Sequence, residues 1–229
     1  MKRHNLHTHT TYSDGQNSPS ELISKAIEEG LEVIGISDHG FTRKINSLDG
    51  EEVLDYIRSL KQLRDNFVGI DIKIGLEVDT CKGSGIDPEK VPFKIINQLD
   101  YVLFEYIKGI SFYNPGIYRS LDSIVKIRKE LAIPVGLAHP NLDEDFPSAC
   151  EDVAKILGEN DIFVDLPLND FKTSIRYNYS SELLGYLREY NVKFTIGTDV
   201  HSRKDLVGNI EPAWKYILDN QLNVHEMVI

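Results

Sequence analysis

The chain has 229 residues, enough for one large core or, at a stretch, two small domains. Its apolar fraction of 41% and charged fraction of 27% are ordinary for a soluble globular protein, and no run approaches the ~20 apolar residues that span a bilayer. Lysine and arginine number 25 against 36 aspartates and glutamates, a net charge of −11, which disfavours a broad surface for duplex nucleic acid but leaves open a small phosphorylated substrate or a strand end gripped at one local site.

The first element is NLHTHT, a strand in which His7 and His9 occupy positions i and i+2 and lean to the same face. MKRHNLHTHT has no apolar segment of a secretory signal, so the cytoplasm is the expected location. Next comes SPSELISKAIEEG, a helix with Ser18 as N-cap, Pro19 as first helical residue and Gly30 as stop. LEVIGIS (31–37) is a β-branched run that reads as strand two, followed by a helix from about Glu51 to Asn66. IDIKIGLEVD (70–79) alternates as strand three, and a short helix from Pro88 to Gln98 leads into strand four, YVLFEYIKGI (101–110). A helix from Leu121 to Leu131 precedes PVGLAHP, one from about Ser148 to Gly158 precedes DIFVDL, and one near Ser180–Tyr190 precedes VKFTIGTDVHS. Cys81 and Cys150 are too few for a disulfide framework and too far apart in sequence for a CxxC site.

Seven strands separated by helical crossovers predict an α/β fold of parallel strands wrapped by helices. No linker or repeat divides the chain, so one domain is expected over residues 1–229. In a parallel barrel, functional side chains gather where strands end. Here the unusual polar residues fall at such ends: His7 and His9 with Asp14 just beyond, Asp38-His39, Glu77 in GLEVD, His139 in GLAHP, and Asp199 with His201 in IGTDVHS. Each has a bland reading as a cap or turn residue, but five of the seven histidines would have to take it at once. Imidazole and carboxylate donors without thiolates suit Zn, Mn or Fe at a hydrolytic site. His4 and His225 lie off this pattern and read as structural or exposed.

The ordered set HTHTTYSDG, SDHG, GLEVD, AHP and TDVHS resembles the hallmarks of the PHP family, the polymerase and histidinol phosphatase domain, from Met1 to about Gly208. The resemblance implies a distorted (βα)7 TIM-like barrel, with 209–229 as a C-terminal helical segment, two or three divalent ions (Zn, Mn or Fe) at its mouth, and metal-dependent phosphoester hydrolysis. Carried over by motif, His7, His9, Glu77 and Asp199 hold a first ion, Glu77 bridges to a second that His139 also binds, and Asp14, His39 and His201 hold a third. Asp38 orients a ligand from behind. The family's strand-four histidine is missing; Glu105, set among apolar neighbours, either replaces it as a metal ligand or pairs with Lys108 or faces outward. Arg176 is the leading phosphate-binding residue, ahead of Arg43 and Lys108, and with Asp199 and His201 it makes up the expected catalytic set. Because the chain ends soon after TDVHS, a stand-alone phosphatase for a small phosphomonoester, histidinol phosphate being the namesake, is expected, with no membrane partner. The alternatives are a nuclease or nucleotide phosphoesterase and, from another class, a non-catalytic metal-stabilised binding subunit.

Overall fold

The computed structural model describes residues 2–111, 116–169 and 173–229. In chain order it forms β1 (His4–Asn5), α1 (Pro19–Glu28), β2 (Val33–Ile36), β3 (His39–Gly40), α2 (Glu51–Arg64), β4 (Asp71–Ile74) and β5 (Glu77–Asp79). A 3-10 turn (Pro88–Lys90), α3 (Phe93–Ile96), β6 (Val102–Glu105), α4 (Leu121–Glu130), β7 (Val135–Leu137), α5 (Leu142–Asp145) and α6 (Cys150–Glu159) follow. β8 (Ile162–Pro167), α7 (Ser181–Glu189), β9 (Lys193–Gly197), α8 (Glu211–Asp219), β10 (Asn223–Val224) and a last 3-10 turn (Glu226–Val228) complete the chain.

All paired strands run parallel. The ladder runs β1-β2-β4 on one side and β10-β9-β8-β7-β6-β5-β3 on the other. Hydrogen bonds from Gly75 N–H to Ile36 O (2.8 Å) and from Glu77 N–H to Asp38 O (3.1 Å) make β2 with β3, and β4 with β5, single interrupted strand paths. Bonds from Leu6 N–H to Ile196 O (2.8 Å) and from Asp199 N–H to His7 O (2.9 Å) join β1 to β9. Seven strand paths therefore form the expected α/β barrel.

Two buried tyrosines pack at the interruptions. The Tyr56 hydroxyl lies 2.9 Å from Ile36 O and 3.0 Å from Gly75 O, beside both breaks. The buried Tyr101 ring occupies the space where a Cβ on Gly75 would stand, and its hydroxyl donates to Leu6 O. Tyr101 belongs to a small cluster with Leu6, Val33, Leu103, Ala138, Phe163 and Val228 that fills the lower barrel interior, while the larger cluster lies between the strands and the helices.

Helix starts follow the sequence closely where capping chemistry is strong. Ser18 caps α1 in a reciprocal capping box with Glu21, Pro19 is its first residue, and Gly30 ends it at φ +77°. Ser180 caps α7 through Leu183 N–H. Three expectations need correction. The helix expected over 88–98 is split around Val91-Pro92, where proline has no N–H to continue it. Strand four stops at Glu105 because Tyr106 turns out at φ 64°. The segment 209–229 is only partly helical: after α8, Asn223 and Val224 pair with Lys193 and Phe194 of β9.

His4 and His225 are both buried and structural. Ile196 N–H donates to His4 Nε2 (3.0 Å), which leaves Nδ1–H to donate to Lys2 O (3.0 Å). Burial holds the His4 pKa down to about 4 from 6.5. The folded state thus resists a proton that the unfolded chain accepts, so the contribution of His4 is complete above pH 6.5 and is lost as pH falls toward 4. In urea titrations, wild type should lose about 2 to 3 kcal/mol relative to His4→Gln between pH 7.5 and pH 4.5. Parallel pH profiles for the two proteins would contradict this.

Candidate metal centre

The strand paths end at one mouth, and the polar residues of the motifs meet there. His39 and Glu77 are direct partners in the β3–β5 register, and Asp79 and Glu105 in the β5–β6 register. Among the described residues, four sets bring donor atoms within 4.8 Å of one another: His9, Asp14, His39 and His201; His7, Glu77 and His139; His7, His9 and Asp199; and His39, Glu77 and Glu105. Glu77 sits at the hub, with Oε2 at 3.2 Å from His7 Nε2, 3.4 Å from His9 Nε2 and 3.1 Å from His39 Nδ1, and Oε1 at 3.0 Å from His139 Nε2. Asp199 Oδ1 lies 3.2 Å from His9 Nε2 and 3.5 Å from His201 Nδ1, and Asp14 Oδ1 lies 3.3 Å from His201 Nε2.

Charge in this cluster is set by burial against crowding. Burial alone would raise the Glu77 pKa, but the His7 and His139 imidazoles hold it well below the usual carboxylate range. Burial likewise opposes the His7 imidazolium, yet Glu77 and Asp165 raise its pKa well above 6.5. Burial dominates at His39, whose pKa falls to about 4. Despite partial burial, Asp14 is lowered to about 2 by His201 and His39.

The local backbone explains why the motifs are spelled as they are. Asp38 accepts from Thr10 N–H (2.7 Å), Thr10 Oγ1 (2.7 Å), Ser13 N–H (3.1 Å) and Ser13 Oγ (2.7 Å). It thereby shapes the 10–13 turn that delivers Asp14, acting on the position of a candidate ligand through the main chain. A Cβ on Gly15 would stand 2.3 Å from the His9 carbonyl, so the turn closes only on glycine. His139 and Asp199 hold left-handed backbone, at φ 32° and 53°, where a non-glycine residue is strained.

Asp165 is the site residue that motif reading missed. It is fully buried on β8, and its Oδ2 lies 2.8 Å from His7 Nδ1. That bond orients the ring and leaves Nε2 facing Glu77 and Asp199. Gly197 makes room for it, since a Cβ there would stand 2.3 Å from Asp165 Oδ1 and 2.5 Å from His7 Cβ. A carboxylate inside the apolar run IFVDL was the available signal, the same one that drew attention to Glu105.

Among the expected cations, Arg176 Nη2 stands 3.7 Å from Asp199 Oδ2, at the mouth. Lys108 lies toward Asp145 (3.7 Å) and the Tyr118 ring, on the wall of an adjoining cavity of about 310 Å³. That cavity also borders Glu105, Tyr106, His139 and Tyr177. Arg43 lies in a separate exposed groove with Lys90 and Arg119.

The fit to a metal can be judged on the donors themselves. Seven buried side-chain nitrogen or oxygen atoms have no hydrogen-bond partner among the described residues, and six are His7 Nε2, His9 Nδ1 and Nε2, His39 Nδ1, and both oxygens of Glu77. Buried polar atoms are almost always bonded, so six at one point, all aimed at common space, fit cations held between them. The PHP domain family profile matches residues 5–168.

The chain belongs to the PHP family. Membership makes it a metal-dependent phosphoesterase. Among relatives of this PHP protein, an uncharacterized protein of Methanocaldococcus jannaschii is 27% identical over 208 residues, 90% of this chain and 84% of that one. A 5'-3' exoribonuclease of Haemophilus influenzae is 28% identical over 138 residues, 59% of this chain but only 39% of that enzyme. Among solved structures, the histidinol phosphate phosphatase of Lactococcus lactis in complex with zinc, L-histidinol and phosphate superposes with a TM-score of 0.66 at 19% identity, covering 97% of this chain and 95% of that one. A structure from work on metal-dependent tyrosine phosphatases of Bacillus subtilis and Streptococcus pneumoniae gives 0.57 at 16% identity, over 98% and 89%. These structural likenesses establish the shared fold. No described helix is long and apolar enough to cross a membrane.

Proposed function

We propose that this PHP protein hydrolyses a small phosphomonoester, as a histidinol-phosphatase-like enzyme, with two or three divalent ions of the Zn, Mn or Fe kind. The observation that carries this reading is the convergence of six buried donor atoms without a hydrogen-bond partner among the described residues, beside a cavity of about 310 Å³. The ligands would be His7, His9, Glu77 and Asp199 for one ion, Glu77 and His139 for a second, and Asp14, His39 and His201 for a third. When bound, such ions supply Lewis acidity and lower the pKa of an attacking water.

The chain's own residues do the remaining work. Asp165 fixes His7, and the Asp38-bound turn fixes Asp14, so the donors are preorganised before substrate arrives. Arg176, a permanent cation beside Asp199, stands where phosphoryl oxygens need countercharge. His201 and Asp199 close the rim on the same side. The alcohol portion of the substrate would occupy the cavity lined by Tyr106, Tyr118 and Tyr177, whose rings displace water from the leaving group.

A screen of histidinol phosphate, phosphotyrosine, nucleoside monophosphates and short single-stranded oligonucleotides, each with Mn or Zn, tests the reading. Turnover of a monoester with oligonucleotides left intact is expected. Oligonucleotide cleavage without monoester turnover would favour the nuclease alternative, to which the exoribonuclease relative lends weight. Protein inert on the whole panel would point to a binding subunit.

A further inference from the structure

The donor sets at the mouth differ in composition. Three of them carry at least two imidazoles and a single carboxylate, whereas His39, Glu77 and Glu105 offer one imidazole and two carboxylates. The Glu105 side chain is only 8% exposed and has no hydrogen-bond donor among the described residues. The nearest candidate for a neutralising partner is already engaged: Lys44 Nζ stands 3.0 Å from Asp79 Oδ2 and 3.4 Å from the Tyr106 ring centroid. Asp79 itself is saturated, accepting from Thr42 Oγ1 (2.6 Å) and Cys81 N–H (2.6 Å) as well as Lys44. Three carboxylates thus crowd one side of the mouth with one lysine among them: Asp79 holds that lysine, Glu77 faces the imidazoles, and Glu105 has neither.

We propose that Glu105 is an ion ligand whose anionic oxygen, beside Glu77, favours a hard divalent ion such as Mn2+, so that this side of the centre discriminates less in favour of Zn2+ than the imidazole-rich remainder. The inference rests on the metal-centre reading above and concerns which ion one position holds. Carboxylate oxygens suit Mn2+ and imidazoles suit Zn2+. A cation held between two such buried carboxylates relieves their mutual repulsion and the cost of burying the charge.

Metal content settles it without recourse to turnover. Wild type, Glu105→His and Glu105→Gln are stripped with chelator, equilibrated with equal Mn2+ and Zn2+, desalted and analysed for both metals, with circular dichroism recorded for each. The Zn-to-Mn ratio retained should rise at least tenfold at one equivalent in Glu105→His, and Glu105→Gln should retain about one ion fewer than wild type. Identical stoichiometry and ratio in all three proteins would overturn the role of Glu105 while leaving the metal centre standing; wild type that retains neither ion would overturn both. Should either variant misfold, Mn2+ paramagnetic resonance of wild type during Zn2+ titration gives an independent reading: one Mn2+ displaced only at a several-fold higher Zn2+ concentration than the rest supports the proposal, and a single uniform displacement contradicts it.

Discussion

Phosphate release is expected to fall by roughly a thousandfold in His9→Ala and in Asp199→Ala, the scale set by removing one group that stabilises developing charge in a water-poor site. The two side chains belong to the same three-residue donor set with His7, so either truncation opens the same position. Far-ultraviolet circular dichroism should stay native-like. The polar contacts of His9 are to Glu77 and Asp199 within the mouth, so its loss takes no bond from a helix or strand. The measurement is a continuous phosphate assay on whichever monoester the screen identifies, run beside the spectra. Variants retaining a tenth or more of wild-type activity would show that these residues do not hold the reacting groups.

Removing metal should have the second large effect, this time on stability. Ions that bind the folded mouth and not the unfolded chain stabilise by about 4 kcal/mol when present at roughly a thousand times their dissociation constant. For a chain of this size that corresponds to a Tm shift of about 10 °C. Chelated protein should therefore melt about 10 °C below protein supplied with Mn2+ or Zn2+, and return on readdition. In His9→Ala and Asp199→Ala the shift should shrink markedly. A melting curve indifferent to chelator in wild type would refute the linkage.

Much of the fold and most of the mouth were legible in the sequence because the signals are local. The Ser18–Glu21 capping box and the Ser180 cap mark helix starts, and alternation or β-branched runs mark strands. The polar groups of the rim interrupt those apolar patterns at their ends, which is why His7, His9, His39, Glu77, His139 and Asp199 could be picked out one by one, and the structure brings their donor atoms together. What the sequence withheld depends on groups far apart along the chain. The breaks in strand paths two and three are packed by Tyr56 and Tyr101, which lie in neither strand. The bond between His7 and Asp165 spans 158 positions, and the space for it is left by Gly197. Asp38 was expected behind a ligand; which ligand it serves, Asp14 through the turn before it, shows only once its four donors are seen to come from Thr10 and Ser13.

Four strand paths leave the barrel through residues of left-handed backbone: Phe41, Tyr106, His139 and Asp199, at φ 62°, 64°, 32° and 53°. Glycine would adopt those angles more comfortably than any of them. At Phe41 and Tyr106 the exchange would remove a ring that packs on the core or lines the adjoining cavity. At His139 and Asp199 the same exchange would erase the imidazole or the carboxylate, so relaxing the main chain there and keeping the chemistry are incompatible aims within a single residue.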